Sequence, residues 1–181
     1  PSHLAISFSL PPDMPDDDFA TVWGAIHDEC ADLGVDIVTG HTARYAGCSF
    51  PWVGGATAMA VGDHDDIVRP DGARPGDDLV LTTGPAVEAS ALFASLFPDQ
   101  IDCDPAVMDR VAARLDDLDA VRDARTAADA GDVTAMHDVT EGGLLGALHE
   151  MAAGAGVGFA VGSERVPTDP DVEALCETLG M

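Results

Sequence analysis

Met136-His137-Asp138-Val139-Thr140-Glu141-Gly142-Gly143-Leu144-Leu145-Gly146-Ala147-Leu148 is the stretch that decides how this chain is read. A polar turn and a glycine pair lead into apolar residues, Leu144, Leu145, Leu148 and Met151, at helical spacing. A strand end, a turn and a helix start make an anion-binding geometry. Glycines expose backbone N–H groups, and the positive end of the helix dipole favours phosphate. Thr140 adds a hydroxyl, and Asp138 is placed to hold a metal ion or a polarised substrate group. The same residues also fit a capping box, with Asp138 accepting from the N3 amide and Glu141 reaching back. The two readings can coexist.

Working outward, Val133 to Met136 reads as a short strand leading into the turn, and Val157 to Val161 as another beyond the helix. A last helix presents Val172, Leu175, Cys176 and Leu179 on one face and stops at Gly180. Upstream, Leu79 to Thr83 reads as a strand, Pro85 opens a helix, and a longer acidic helix starts at Asp104-Pro105. Gly62 to Asp78 carries three Gly, two Pro and six Asp without periodicity, which places a domain boundary there. Ahead of it come a strand (Leu4 to Leu10), a helix capped by Asp17 or Asp18 and ended by Gly34, a short strand (Asp36 to Gly40), and a longer one (Ser49 to Val61) interrupted at Gly54-Gly55. That β-α-β-β order is half of a ferredoxin-like unit. The expected organisation is α/β: residues 1–62, a linker over 63–78, and a second α/β domain over 79–181. Gly40-His41-Thr42 falls where a strand runs into a polar loop, which makes His41 a candidate donor or a loop histidine bonded to backbone.

The 33 acids face eight basic residues, all arginine, for a net charge of −25, yet 46% of residues are hydrophobic and keep their periodicity. The acids are dispersed, which fits a surface adapted to concentrated salt, where the Debye length falls to ~3 Å at about 1 M. With no basic patch, nucleic acid is excluded as a partner. Cys30, Cys48, Cys103 and Cys176 lack zinc spacing and read as free thiols of a cytosolic protein. No apolar run approaches the ~18 residues that span a bilayer. Asp63-His64-Asp65-Asp66 lacks the glycine and terminal Glu of an EF-hand loop, and there is no P-loop, nucleophile elbow or G-x-G-x-x-G.

Taken together, these segments resemble the superfamily of AIR synthase, FGAM synthase, selenophosphate synthetase, thiamine-monophosphate kinase and the hydrogenase expression/formation dehydratase. The resemblance rests on Asp17 to Val61, on Arg74-Pro75-Gly76-Asp77-Asp78-Leu79-Val80-Leu81-Thr82, and above all on His137 to Leu148. It looks closest to archaeal AIR-synthase-related and hydrogenase expression/formation-like proteins. Selenophosphate synthetase and thiamine-monophosphate kinase differ more around the glycines. Gly40-His41-Thr42 stands where Gly-Asp-Thr is typical, and Glu141 where the dehydratase has arginine.

The resemblance implies the end of a ferredoxin-like ATP-binding domain followed by an AIR-synthase C-terminal-like domain, with ATP and Mg²⁺ as cofactors. The chain opens at Pro1, and the family's acidic Mg-ATP motifs are expected upstream of it; the dehydratase's C-terminal cysteine tail is expected beyond Met181. Such enzymes phosphorylate an amide or acyl oxygen of a small molecule or a protein-bound group. On this reading His137, Asp138 and His41 are catalytic candidates, Thr140, Glu141, Gly142, Gly143 and Thr42 contact the cofactor, and Asp138 is the metal ligand. A homodimer joined through the first domain is implied as well. The alternative is a non-catalytic nucleotide-binding or assembly module.

Overall fold

The computed structural model describes residues 1–49 and 53–181. The chain divides into two compact units, Pro1–Ile67 and Val68–Met181.

In the first unit, strand β1 (His3–Leu10), helix α1 (Asp16–Leu33), strand β2 (Asp36–Arg44) and strand β3 (Val53–Met59) give the β-α-β-β order read from the sequence. The sheet order is β2-β1-β3, with β1 parallel to β2 and antiparallel to β3. Alternation along β1 buries Phe8 and Leu10, and the Phe8 ring meets Phe19 and Trp23 of α1 edge-on at 5.8 and 6.2 Å. Gly34, at φ 69°, ends α1 in the left-handed turn that only glycine enters cheaply.

The first unit corrects three expectations. Helix α1 starts at Asp16 behind Pro15 with no side-chain cap, so Asp17 and Asp18 serve the helix dipole from inside the first turn. Strand β2 runs on to Arg44 because its ladder with β1 continues, so Gly40, His41 and Thr42 lie within a largely exposed strand and not in a loop. Strand β3 ends at Met59, and residues 50–52 of the expected longer strand lie outside the described residues. Gly40 is required where it stands. The register slips between Leu4 and Ala5, leaving Val38 as an extra residue, and a Cβ on Gly40 would lie 1.9 Å from the Ile6 carbonyl oxygen.

The described part of the second unit is helical: α2 (Val87–Leu96), α3 (Pro105–Ala112), α4 (Ala120–Ala130), α5 (Gly143–Ala155) and α6 (Pro170–Leu179). Val87 and Ala94 of α2, Met108 and Val111 of α3, and Val172 and Leu175 of α6 form its core cluster. Asp104, Asp119 and Asp169 cap α3, α4 and α6 by accepting from backbone N–H groups two residues on. Arg110 of α3 grips Asp171 of α6 through two bonds of 2.7 Å, and Arg114 pairs with Asp169. The long acidic helix expected from Asp104 is therefore two, since Asp119 starts a new one.

The strands expected over 79–83, 133–136 and 157–161 are not formed as strands. These segments are without helix or ladder, because none finds a neighbouring strand among the described residues. Their β-branched composition reports a readiness to pair, and the pairing itself needs a partner.

Candidate functional site

Helix α5 begins at Gly143 with Gly142 as its N-cap residue. Both glycines are left-handed, at φ 82° and 61°, which L side chains rarely adopt. The Gly143 N–H donates to the Thr140 carbonyl at 3.0 Å and closes the turn. No side chain caps this helix. The capping-box reading fails here, because the glycine turn sets the N-cap at residue 142 where the box needs it at 138. The Asp138 side chain is 66% exposed, and the first N–H groups of α5 lack intrahelical partners.

His137 anchors the turn. Its ring is 17% exposed; Nδ1 lies 2.6 Å from the Asp138 carbonyl oxygen and Nε2 lies 3.0 Å from Glu150 Oε2 on α5. A carbonyl and a carboxylate only accept, so the ring satisfies both contacts when both of its nitrogens carry protons, which favours the charged form. The Asp138 carbonyl bond first, then Glu150 and the Asp138 charge, raise its pKa above the ordinary histidine value, while desolvation opposes. His137 is thus placed as a hydrogen-bond donor, with its charged form favoured by its neighbours.

The segment leading into His137 is held from behind. The Thr134 hydroxyl donates to Asp77 Oδ2 at 2.6 Å, and the same oxygen accepts from the Arg74 N–H at 2.9 Å. Those bonds, Thr134's first, hold the Asp77 carboxyl below its usual range. The helical turn Pro70–Gly72 packs on α5, and Gly72 approaches so closely that a Cβ would lie 2.0 Å from the Thr134 carbonyl oxygen. Asp77 thereby ties Arg74 to the segment that leads into His137.

His41 and Thr42 belong to the first unit. His41 is exposed, with Nε2 3.0 Å from the Tyr45 hydroxyl. An open pocket of about 270 Å³ is lined by Ile6, Trp23, Gly40, His41 and Thr42 among others. So the structure brings His137, Asp138, Thr140, Glu141, Gly142 and Gly143 together in one turn, and His41 with Thr42 on one strand of the other unit. Sequence reading missed Glu150 and Thr134. A separation of thirteen residues across a turn leaves no periodic signal for the His137–Glu150 bond.

Among the described residues no group of three or more His, Cys, Asp or Glu side chains is gathered as for a metal. Mg²⁺ carried on nucleotide phosphates needs only one or two protein carboxylates, and exposed Asp138 fits that limited role.

Residues 74–179 match the model of the AIR synthase related protein, C-terminal domain. The chain belongs to the AIR synthase-related family. The carbamoyl dehydratase HypE of Rhizobium leguminosarum bv. viciae is 30% identical over 182 residues, covering 100% of this chain and 50% of that protein. A thiamine-monophosphate kinase of Halobacterium salinarum is 33% identical over 168 residues, covering 92% of this chain and 51% of the kinase. A crystal structure of the hydrogenase maturation protein HypE in complex with ATP superposes with a TM-score of 0.72 at 22% identity, over 100% of this chain and 52% of that one, and shows the shared fold. The chain spans about half the length of the curated relatives it matches. The hydrogenase expression/formation proteins expected from the sequence are among these relatives, alongside thiamine-monophosphate kinase. Among the described residues no helix is long and apolar enough to cross a membrane.

Proposed function

We propose that this AIR synthase-related chain is part of an ATP-dependent enzyme that phosphorylates an amide or acyl oxygen of a small molecule or a protein-bound group, in a reducing cytosol and in concentrated salt. The observation that carries the proposal is the turn from His137 to Gly143. Two left-handed glycines, an uncapped helix start and an adjacent histidine whose charged form is favoured face one polar loop. Such a loop holds anionic oxygens through N–H groups, a helix dipole and a nearby positive charge. The family match and the ATP complex of a relative support the choice of nucleotide.

In this reading Thr140, Gly142 and Gly143 contact phosphate, His137 donates toward developing negative charge, and Asp138 orients the cation. Glu141, exposed at the mouth of the turn, borders the cofactor. Mg²⁺, when bound, neutralises phosphate charge. His41 and Thr42, on β2, line the pocket of the first unit as secondary contacts. Pairing of two copies through the first unit fits its sheet, where among the described residues the outer strands β2 and β3 each have one neighbour and are largely exposed.

Asp138→Asn tests the proposal. The carboxylate makes no cap, so the melting temperature should hold, while turnover should fall on the order of 10²-fold or more if Asp138 positions a charge at the reacting phosphate. Unchanged turnover and unchanged Mg-ATP affinity would count against it and favour a non-catalytic module.

A further inference from the structure

We infer that Glu150, seven residues beyond the first residue of α5, is the positioning residue of the anion loop and acts through His137. The inference rests on the nucleotide reading for its purpose, but its geometry stands alone. Glu150 Oε2 accepts from His137 Nε2 at 3.0 Å, and His137 Nδ1 donates to the Asp138 carbonyl at 2.6 Å. A ring held at both nitrogens cannot rotate about its bond to the chain. The carbonyl it holds belongs to the peptide joining Asp138 to Val139, and in a trans planar peptide C=O and N–H point in opposite directions. Drawing the Asp138 oxygen toward the ring therefore turns the Val139 N–H away from it. Glu150 in this way sets the orientation of the peptide at the head of the turn from the middle of the helix.

The arrangement also explains the exposures. The His137 ring is 17% exposed, whereas Glu150 is 63% exposed and contributes little to the core. A residue that packed α5 would be covered; one that steers a ring needs only its carboxylate in place. Removing that carboxylate leaves the ring one bond to the Asp138 carbonyl and permits the tautomer in which Nδ1 accepts, which would turn the peptide around.

The test uses the ¹⁵N-labelled full chain in high salt at one pH, comparing wild type with Glu150→Gln and Glu150→Ala. His137 ring nitrogen shifts and the hydrogen exchange of the Val139 to Gly143 amides are read, with Mg-ATP titration beside them. Glu150→Ala should move the Nε2 shift and speed exchange of the Gly143 amide, which donates to the Thr140 carbonyl across the turn, about tenfold at an unchanged melting temperature. Glu150→Gln, which keeps an acceptor oxygen, should restore both. Where Mg-ATP binds, its Kd should rise by a similar factor of about ten in Glu150→Ala alone. Ring shifts and amide exchange that match wild type in Glu150→Ala overturn the inference. A wild-type chain that binds no Mg-ATP removes the nucleotide reading instead, and the ring and amide signals then decide the positioning role by themselves.

Discussion

Replacing Gly72 by alanine puts one methyl group where the second unit has no room for it. The ideal Cβ lies 2.0 Å from the Thr134 carbonyl oxygen, a separation that real Cβ atoms do not show below 3.0 Å, so one segment must move by at least about 1 Å. Neither side yields easily. Thr134 is tied through its hydroxyl to Asp77, and Pro70–Gly72 is packed on α5. Because the obstacle is backbone rather than a flexible side-chain end, the loss should lie toward the upper part of the range for overpacking, about 1–3 kcal/mol. That is roughly a 5- to 150-fold change in the folding equilibrium. Urea unfolding in molar KCl, followed by far-UV circular dichroism, reads it as a lower midpoint at constant slope. The His137 ring signals should shift too, since Thr134 leads into His137. A Gly72→Ala protein within 0.5 kcal/mol of wild type, the range of an ordinary surface change, would refute the close docking of this turn.

Gly24→Ala is the same substitution with the opposite sign: the site is inside α1, open to a Cβ, and alanine should add about 0.5–1 kcal/mol in the same unfolding assay. The dispersed acidic surface predicts a melting temperature higher in about 2 M than in 0.1 M KCl, and equal values would contradict adaptation to salt. His137 has a folded pKa raised above its unfolded value of about 6.5, so its contribution is complete below that value and is lost as pH rises through the folded pKa. Wild type should therefore exceed His137→Gln in stability by more at pH 5.5 than at pH 8.5; a constant or reversed difference would go against the imidazolium. Asp171 is shifted down by Arg110, so the advantage of wild type over Asp171→Asn should shrink as pH falls through the acid range in which the folded carboxylate takes up its proton.

Legibility in the sequence followed the range of each interaction. Helix α1, its glycine stop, the helix opened by Asp104-Pro105 and the Gly180 stop of the last helix announce themselves within a few residues, because caps and turns are local chemistry. The start of α5 was also local, but two signals competed there. The Asp138-x-x-Glu141 spacing suggested a box, while the left-handed glycine pair placed the helix later. The three strands expected in the second unit illustrate the converse. Leu79 to Thr83 has the composition of a strand, yet a ladder is a property of two segments, and composition speaks for one. The same limit hid Glu150 and the Thr134–Asp77 bond, which join residues 13 and 57 apart. The glycine and threonine that flank His41 suggest a loop. Its strand persists because β1 supplies the neighbour, and a bulge at Val38 lets Gly40 pass the Ile6 carbonyl.

The most direct measurement is a calorimetric titration of the full gene product with Mg-ATP in molar KCl, with amide shifts of Val139 to Gly143 recorded on the same samples. The account predicts saturable binding, shifts centred on Thr140, Gly142 and Gly143, and weaker binding in Asp138→Asn at an unchanged melting temperature. Binding that leaves these amides unmoved, or no binding at all, would contradict it and leave the turn as nothing more than the start of a helix.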